Sequence, residues 1–248
     1  MKKIITLIFL TLIFFNLSAQ NNTGIITYKK LKIKKIFTED KKERLSKEKF
    51  EKFSKLEESI NKAYKNLNFI LNFNNSESVF KVQNFLETPK DRFLKFSVGA
   101  EGKGVYYNSI SERIRKMNTF GEDFIIYYKP SKIEWKLENK TKKIGKYVCY
   151  KATTTDTYKS EEGNKEYIIT AWYTPEINAQ YGPIGFSGLP GLILELDRDK
   201  FRYYVHNIVL NPKKKVKIDK PNKGNKISLQ EYFNLLDSSV IKFKKIRG

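Results

Sequence analysis

Hydrophobic and polar positions along the chain fall into four successive patterns, each predicting a different kind of element. Behind Lys2 and Lys3, residues Ile4 to Phe15 are apolar except for Thr6 and Thr11. About 12 such residues make a helix of roughly 18 Å, too short for the hydrocarbon layer that a stable anchor must cross. With Leu17-Ser18-Ala19 behind it, the run predicts a secretory signal peptide over residues 1–19, cleaved before Gln20. No Cys follows that site, so lipid attachment there is excluded.

The second pattern begins with Gly24-Ile25-Ile26-Thr27-Tyr28, a β-branched run that predicts a first strand. Leu45, Phe50, Phe53, Leu56, Ile60, Tyr64 and Leu67 then recur at spacings of mostly three and four, behind an Asp40/Glu43 capping box. This predicts one long amphipathic helix over about residues 41–66, with its Lys/Glu face in water.

The third pattern is alternation. Leu67, Phe69, Leu71 and Phe73 share one face, and Phe93 to Val98, Tyr106-Tyr107, Phe124 to Tyr128, Trp135 to Leu137, Tyr147 to Thr155 and Tyr167 to Thr174 continue it. Glycine-bearing turns at Lys143–Lys146 and Glu161–Asn164 separate strands. Leu192 to Leu196 and Phe201 to Leu210 predict another hairpin about Asp197–Lys200. Last, a basic segment, Asn211 to Lys226, leads to a Ser228/Glu231 capping box and to Leu229, Phe233, Leu236, Val240 and Phe243, predicting a short closing helix.

The expected fold is therefore α+β and mainly antiparallel β: a curved meander sheet or half-barrel, with one long N-terminal amphipathic helix and a short C-terminal helix. Removing residues 1–19 from the 248 leaves 229, within the range of a single domain over 20–248. Forty per cent hydrophobic and 14% aromatic residues argue for a folded chain, because that much apolar surface offsets chain entropy. No second apolar run reaches membrane-spanning length. Removing the signal takes two lysines from a net charge of +21, leaving +19, so attraction to anionic surfaces is expected. The charge is spread along the chain and no nucleic-acid-binding signature accompanies it, so no dedicated nucleic-acid role is expected.

Little side-chain chemistry is on offer. Cys149, the only cysteine, lies in an alternating stretch and reads as a buried strand position; it allows no intramolecular disulfide. His206, the only histidine, sits in another strand-like run, and Gly185-Phe186-Ser187-Gly188-Leu189 fails the nucleophile-elbow pattern at Leu189. One Cys and one His cannot make a usual zinc site, and Gly99-x-x-Gly102-x-Gly104 opens no predicted helix, so neither a metal nor another cofactor is expected. Carboxylates remain: Glu176, Glu195 and Asp197 are candidates for a two-carboxylate hydrolase if the fold brings them together.

The most unusual stretch runs from Ala171 to Leu196. Trp172-Tyr173-Thr174-Pro175, Tyr181-Gly182-Pro183, Phe186-Ser187 and the hexapeptide Gly188-Leu189-Pro190-Gly191-Leu192-Ile193 resemble the GLPGLI family of exported bacterial proteins, as do Trp135-Lys136-Leu137, Ile144-Gly145 and Cys149–Thr153 upstream. The resemblance implies an exported β-rich protein and carries no activity. Physically the stretch is a stiff loop: Pro175, Pro183 and Pro190 restrict φ, the glycines permit unusual backbone shapes, and Phe186, Leu189 and Leu192 can plug it into the core. It serves either as a rigid crossover or as a binding loop. The leading expectation is a non-enzymatic exported binding or accessory module, with an envelope protein, an apolar peptide or a lipid as partner and a carrier-like half-barrel as its concrete form. The alternative is a carboxylate-dependent hydrolase.

Overall fold

In the computed structural model, residues 22–35, 43–83, 104–129, 132–160 and 163–247 are described. The expected signal peptide, Asp40 and the Phe93–Val98 alternation lie outside them. Period-two burial begins at once in β1 (Gly24–Lys32), where Ile26 and Tyr28 face the core. From β1 the chain builds a meander of β2 (Phe69–Phe73), β3 (Glu77–Val82), β4 (Val105–Ser109), β5 (Arg113–Thr119) and β6 (Glu122–Tyr127). A second meander comprises β7 (Lys136–Ile144), β8 (Tyr147–Ser160), β9 (Gly163–Thr174), β10 (Leu192–Arg198) and β11 (Phe201–Leu210). Antiparallel pairing of β1 with β11, from Gly24↔Leu210 to Lys32↔Phe201 with a bulge between Thr27 and Tyr28, joins the two. The strand β12 (Asn225–Ser228) adds in parallel to β6. Among the described residues one 12-stranded sheet results, in the order β12-β6-β5-β4-β3-β2-β1-β11-β10-β9-β8-β7, mostly antiparallel and not closed into a barrel.

Among the described residues two helices complete the fold. Helix α1 (Lys47–Asn66) is capped by Ser46, whose Oγ accepts from the Lys49 N–H, so it starts later than the periodicity predicts. Its last turns dock on β1, burying Ala63 and Tyr64, while Phe53 and Leu56 are 36% and 41% exposed. The Lys30 ammonium beneath it lies 4.4 Å from the Tyr64 ring centroid and 4.0 Å from that of Phe201, a cation held by aromatic faces. Helix α2 (Leu229–Arg247) corrects the expectation of a short closing helix, for its 19 residues nearly equal the 20 of α1. The capping box that starts it forms in both directions: the Ser228 N–H donates to Glu231 Oε2 at 2.6 Å and the Glu231 N–H to Ser228 Oγ at 3.2 Å.

Between β11 and β12 the basic segment 211–224 crosses the first meander as a strap. Its Ile218 packs on the cluster of Tyr107, Ile114 and Ile125, and Asn72 donates to the Lys217 carbonyl at 2.9 Å. Phe124 and Ile126, on the other face of β6, pack against Tyr232 of α2. Strap and helix thus cover opposite faces of the same strands.

Candidate functional site

The stretch between β9 and β10 is a plug. Its inward side chains Ile177, Ala179, Tyr181, Ile184, Phe186 and Leu189 are all buried in one cluster with Ile26, Phe69, Leu71 and Phe73. The loop carries its own hydrogen bonds, Gly188 N–H to the Gln180 carbonyl at 2.9 Å and Ile193 N–H to the Tyr181 carbonyl at 3.0 Å. It is also tied to the sheet, since the Tyr28 hydroxyl donates to the Ile193 carbonyl at 2.6 Å and Trp135 Nε1 to the Ser187 carbonyl at 2.8 Å. The apolar concavity that a carrier would offer to a lipid is occupied by the protein's own loop. Of the singled-out motif residues, Tyr173, Gly182, Pro183, Phe186, Leu189, Gly191, Leu192 and Ile193 are buried, and Pro175, Gly188 and Pro190 are exposed. Trp172 points to the other face of β9, where the Lys142 ammonium sits 4.4 Å from its ring.

The open feature lies where the sheet fails to close. A groove of about 880 Å³ runs along this seam, lined by Arg113, Tyr128 and Lys129 on one wall and by residues 132–136 on another. Its floor is five consecutive residues of β8, Thr153 to Thr157. Side chains of a strand alternate between faces, so a cavity touching five in a row is touching the strand's edge. The register agrees: β7 pairs with β8 only as far as Lys136↔Thr153, whereas β8 continues to Ser160. Among the described residues, β8 has no strand partner on this side beyond Thr153. Ile168, opposite Thr155 on β9, is 72% exposed at the rim.

Behind the groove lies a smaller, partly open cavity of about 50 Å³, bounded by Arg113, Arg115, Arg198, Asp156, Tyr106, Tyr128, Ile184, Phe186 and three residues of α2. Only seven of the chain's 48 basic residues are arginine, and three of those meet here. Arg113 is stacked, 4.2 Å from the Tyr128 ring and 5.1 Å from that of Phe186, and donates to the Gly185 carbonyl at 2.9 Å. Arg198 donates to Asp156 at 2.8 Å, and Arg115 lies 5.0 Å from the Tyr106 ring. The Nε atoms of Arg115 and Arg198 are sealed from solvent and, among the described residues, have no hydrogen-bond partner. Burial pulls Arg113 below its ordinary value, with Tyr128 and Asp156 opposing. Burial works the same way on Arg198, but Asp156 outweighs it; at Arg115 the tyrosine oxygens, Tyr106 first, outweigh it. All three remain cations, so with one carboxylate the cavity wall has an excess of two positive charges.

A family of unknown function covers this region. The family is described as "Protein of unknown function (Porph_ging)", and it matches residues 135–165 and 156–195, from the groove rim through the plug. The match falls on the segment that carries the GLPGLI resemblance, under a different family description, and brings no activity. No curated protein matches the chain. Among solved structures, PNGF-II in space group P21 is similar with a TM-score of 0.51 at 16% identity, over 86% of this chain and 33% of that one. PNGF-II in space group C2 gives 0.50 at 15%, over 87% and 32%. The chain thus spans about a third of the length of those structures, and the likeness is one of fold.

The carboxylates considered as catalysts do not line this groove. Both oxygens of Asp197 accept from Arg202, at 2.6 and 2.7 Å, and Glu195 is held by Lys142 at 2.7 Å and Arg202 at 3.2 Å. Glu176 is exposed at the end of β9 and accepts the Val148 N–H at 2.8 Å. His206 is exposed on β11. Sequence reasoning missed the arginines because Arg-x-Arg in a polar strand reads as a solvated face; the available signal was their rarity among lysines.

Cys149 is fully buried, and burial pushes its thiol up to about 11 from 9.0. Burial likewise raises Tyr181 and Tyr107 to about 12 from 10.0, the latter helped by donation to Glu77 at 2.7 Å. Each group is favoured neutral in the folded state, so its stabilisation is complete below the unfolded value and lost as pH rises through the folded one. Denaturant midpoints should therefore hold up to about pH 9 and fall progressively to pH 12. Midpoints constant across that range would contradict the burial of these groups.

Proposed function

We propose that the chain is an exported, non-enzymatic binding module that takes an extended polypeptide segment as an added strand on the free edge of β8. The single observation carrying this reading is that unpaired edge: Thr154–Thr157 present roughly 13 Å of strand backbone to a groove large enough for a peptide. A free edge exposes unpaired N–H and C=O groups, which sheets otherwise cover or protect with charge. Side-chain contacts are at hand in Trp135, Ile133 and Ile168 on the groove walls. Lys129, Lys132, Lys136 and Arg113 against Glu134 and Asp156 favour an acidic segment. For export the support is the Met1–Ala19 pattern.

The test uses protein secreted from its own leader, whose intact mass should begin at Gln20, to select binders from a random 12-residue peptide library. Selected peptides are expected to be acidic and rich in β-branched residues. Methylating alternate backbone nitrogens should weaken binding by about tenfold or more, roughly 1.4 kcal/mol, and Trp135→Ala should weaken it too. Failure to select any peptide, or indifference to backbone methylation, would contradict strand addition.

A further inference from the structure

We propose that the Arg113–Arg115–Arg198 cavity is a carboxylate-binding pocket that receives an acid group of the segment lying in the groove; the second half of this proposal rests on the strand-addition reading. The cavity and the groove share Arg113, Tyr128, Asp156, Phe186 and Leu229 in their walls, so a group entering from the groove has a short path. Asp156 already balances one arginine through Arg198, and among the described residues no other carboxylate lines the cavity. Among the described residues two of the three arginine charges are therefore left unbalanced.

The donors are set for an anion. Arg113 spends its Nε on the Gly185 carbonyl, and two aromatic rings hold its guanidinium plane. Among the described residues Arg115 Nε and Arg198 Nε have no partner and no accessible surface, so an anion in the cavity meets these two guanidinium groups at their outer nitrogens. At 10–15 Å³ for each water-sized position, 50 Å³ holds about three to five. That matches the three heavy atoms of a carboxylate, whose planar oxygens suit guanidinium donors.

A strained backbone points the same way. Ile184, in the cavity wall, has φ 47° and ψ 34°, a left-handed conformation that a β-branched residue adopts only when its surroundings impose it. Such residues concentrate at ligand sites. Its neighbour Gly185 supplies the carbonyl that fixes Arg113.

An α-carboxylate at a chain terminus and an Asp or Glu side chain offer the same chemistry. The experiment follows the arginine Nε–H signals of the full chain by NMR during titration with sodium acetate, inorganic phosphate and sodium chloride at constant ionic strength. Acetate should give saturable shifts at Arg115 and Arg198 that chloride does not, and Arg115→Met or Arg198→Lys, checked for unchanged thermal unfolding, should abolish saturation. A library-selected peptide is then compared with its C-terminal amide and with its Glu→Gln and Asp→Asn forms. A tenfold or greater loss with the amide assigns the terminus, and the same loss with the neutral side chain assigns the side chain.

Because the wild-type titration needs no variant, an unfolded mutant does not blunt the test. Absence of saturable acetate shifts, while peptides still bind, would overturn the pocket and leave the groove standing. Saturation by acetate without any peptide binding would support the pocket and overturn the strand reading. Phosphate displacing acetate at lower concentration would overturn the carboxylate assignment.

Discussion

Gly191→Ala should cost on the order of 4 kcal/mol, a large share of the stability of an ordinary domain. Gly191 has φ 153°, and a Cβ there would stand 2.1 Å from the Thr174 carbonyl oxygen and 2.8 Å from Pro175 Cα, both backbone atoms. Neither can retreat without opening Leu192↔Thr174, the first pair of the β9–β10 ladder. Gly188→Ala provides the contrast within the same hexapeptide: its φ of 91° also disfavours a side chain, yet nothing lies within 4 Å of the added Cβ. Only conformational strain applies, at about 1–2 kcal/mol. In thermal unfolding Gly191→Ala should melt about 8–16 °C below wild type and Gly188→Ala only a few degrees below. Equal shifts would contradict the close approach of the loop to the end of β9.

Phe186→Ala should cost about 3–5 kcal/mol. Phe186 is 3% exposed, its ring lies 6.0 Å from that of Trp135, and it supports the Arg113 guanidinium from below the groove. Trp172, although larger and embedded in the same motif, is only half-buried under Lys142. Trp172→Ala should cost about 1–2 kcal/mol. Urea unfolding of the two variants beside wild type checks the order. A greater loss at Trp172 would mean that the plug does not depend on Phe186.

Much of the fold is legible because burial repeats with the period of its element. Phe69, Leu71 and Phe73 alternate in sequence and all face the core, and the Ser228/Glu231 pair announces α2 by chemistry that depends on spacing alone. The length of α2 was harder to read, since apolar spacing marks a face and not the last turn. In α1 the pattern shows an apolar face, but the docking surface reaches only its last turns, leaving Phe53 and Leu56 half in water. The strand β5 was hidden for the opposite reason: Arg113 and Arg115 occupy its enclosed face, where the rule of polar residues outside fails. The free edge of β8 was also out of reach, because it depends on where β7 stops pairing rather than on any residue type.

Amide hydrogen exchange at Thr154–Thr157, followed with and without a library-selected peptide, tests strand addition most directly. Amides on the unpaired side of β8 are expected to exchange fast in the free protein and to slow by tenfold or more in the complex, in an alternating pattern, because only every second N–H points outward along an edge. Unchanged exchange at these residues in a complex that does form would contradict the account and place the binding surface elsewhere.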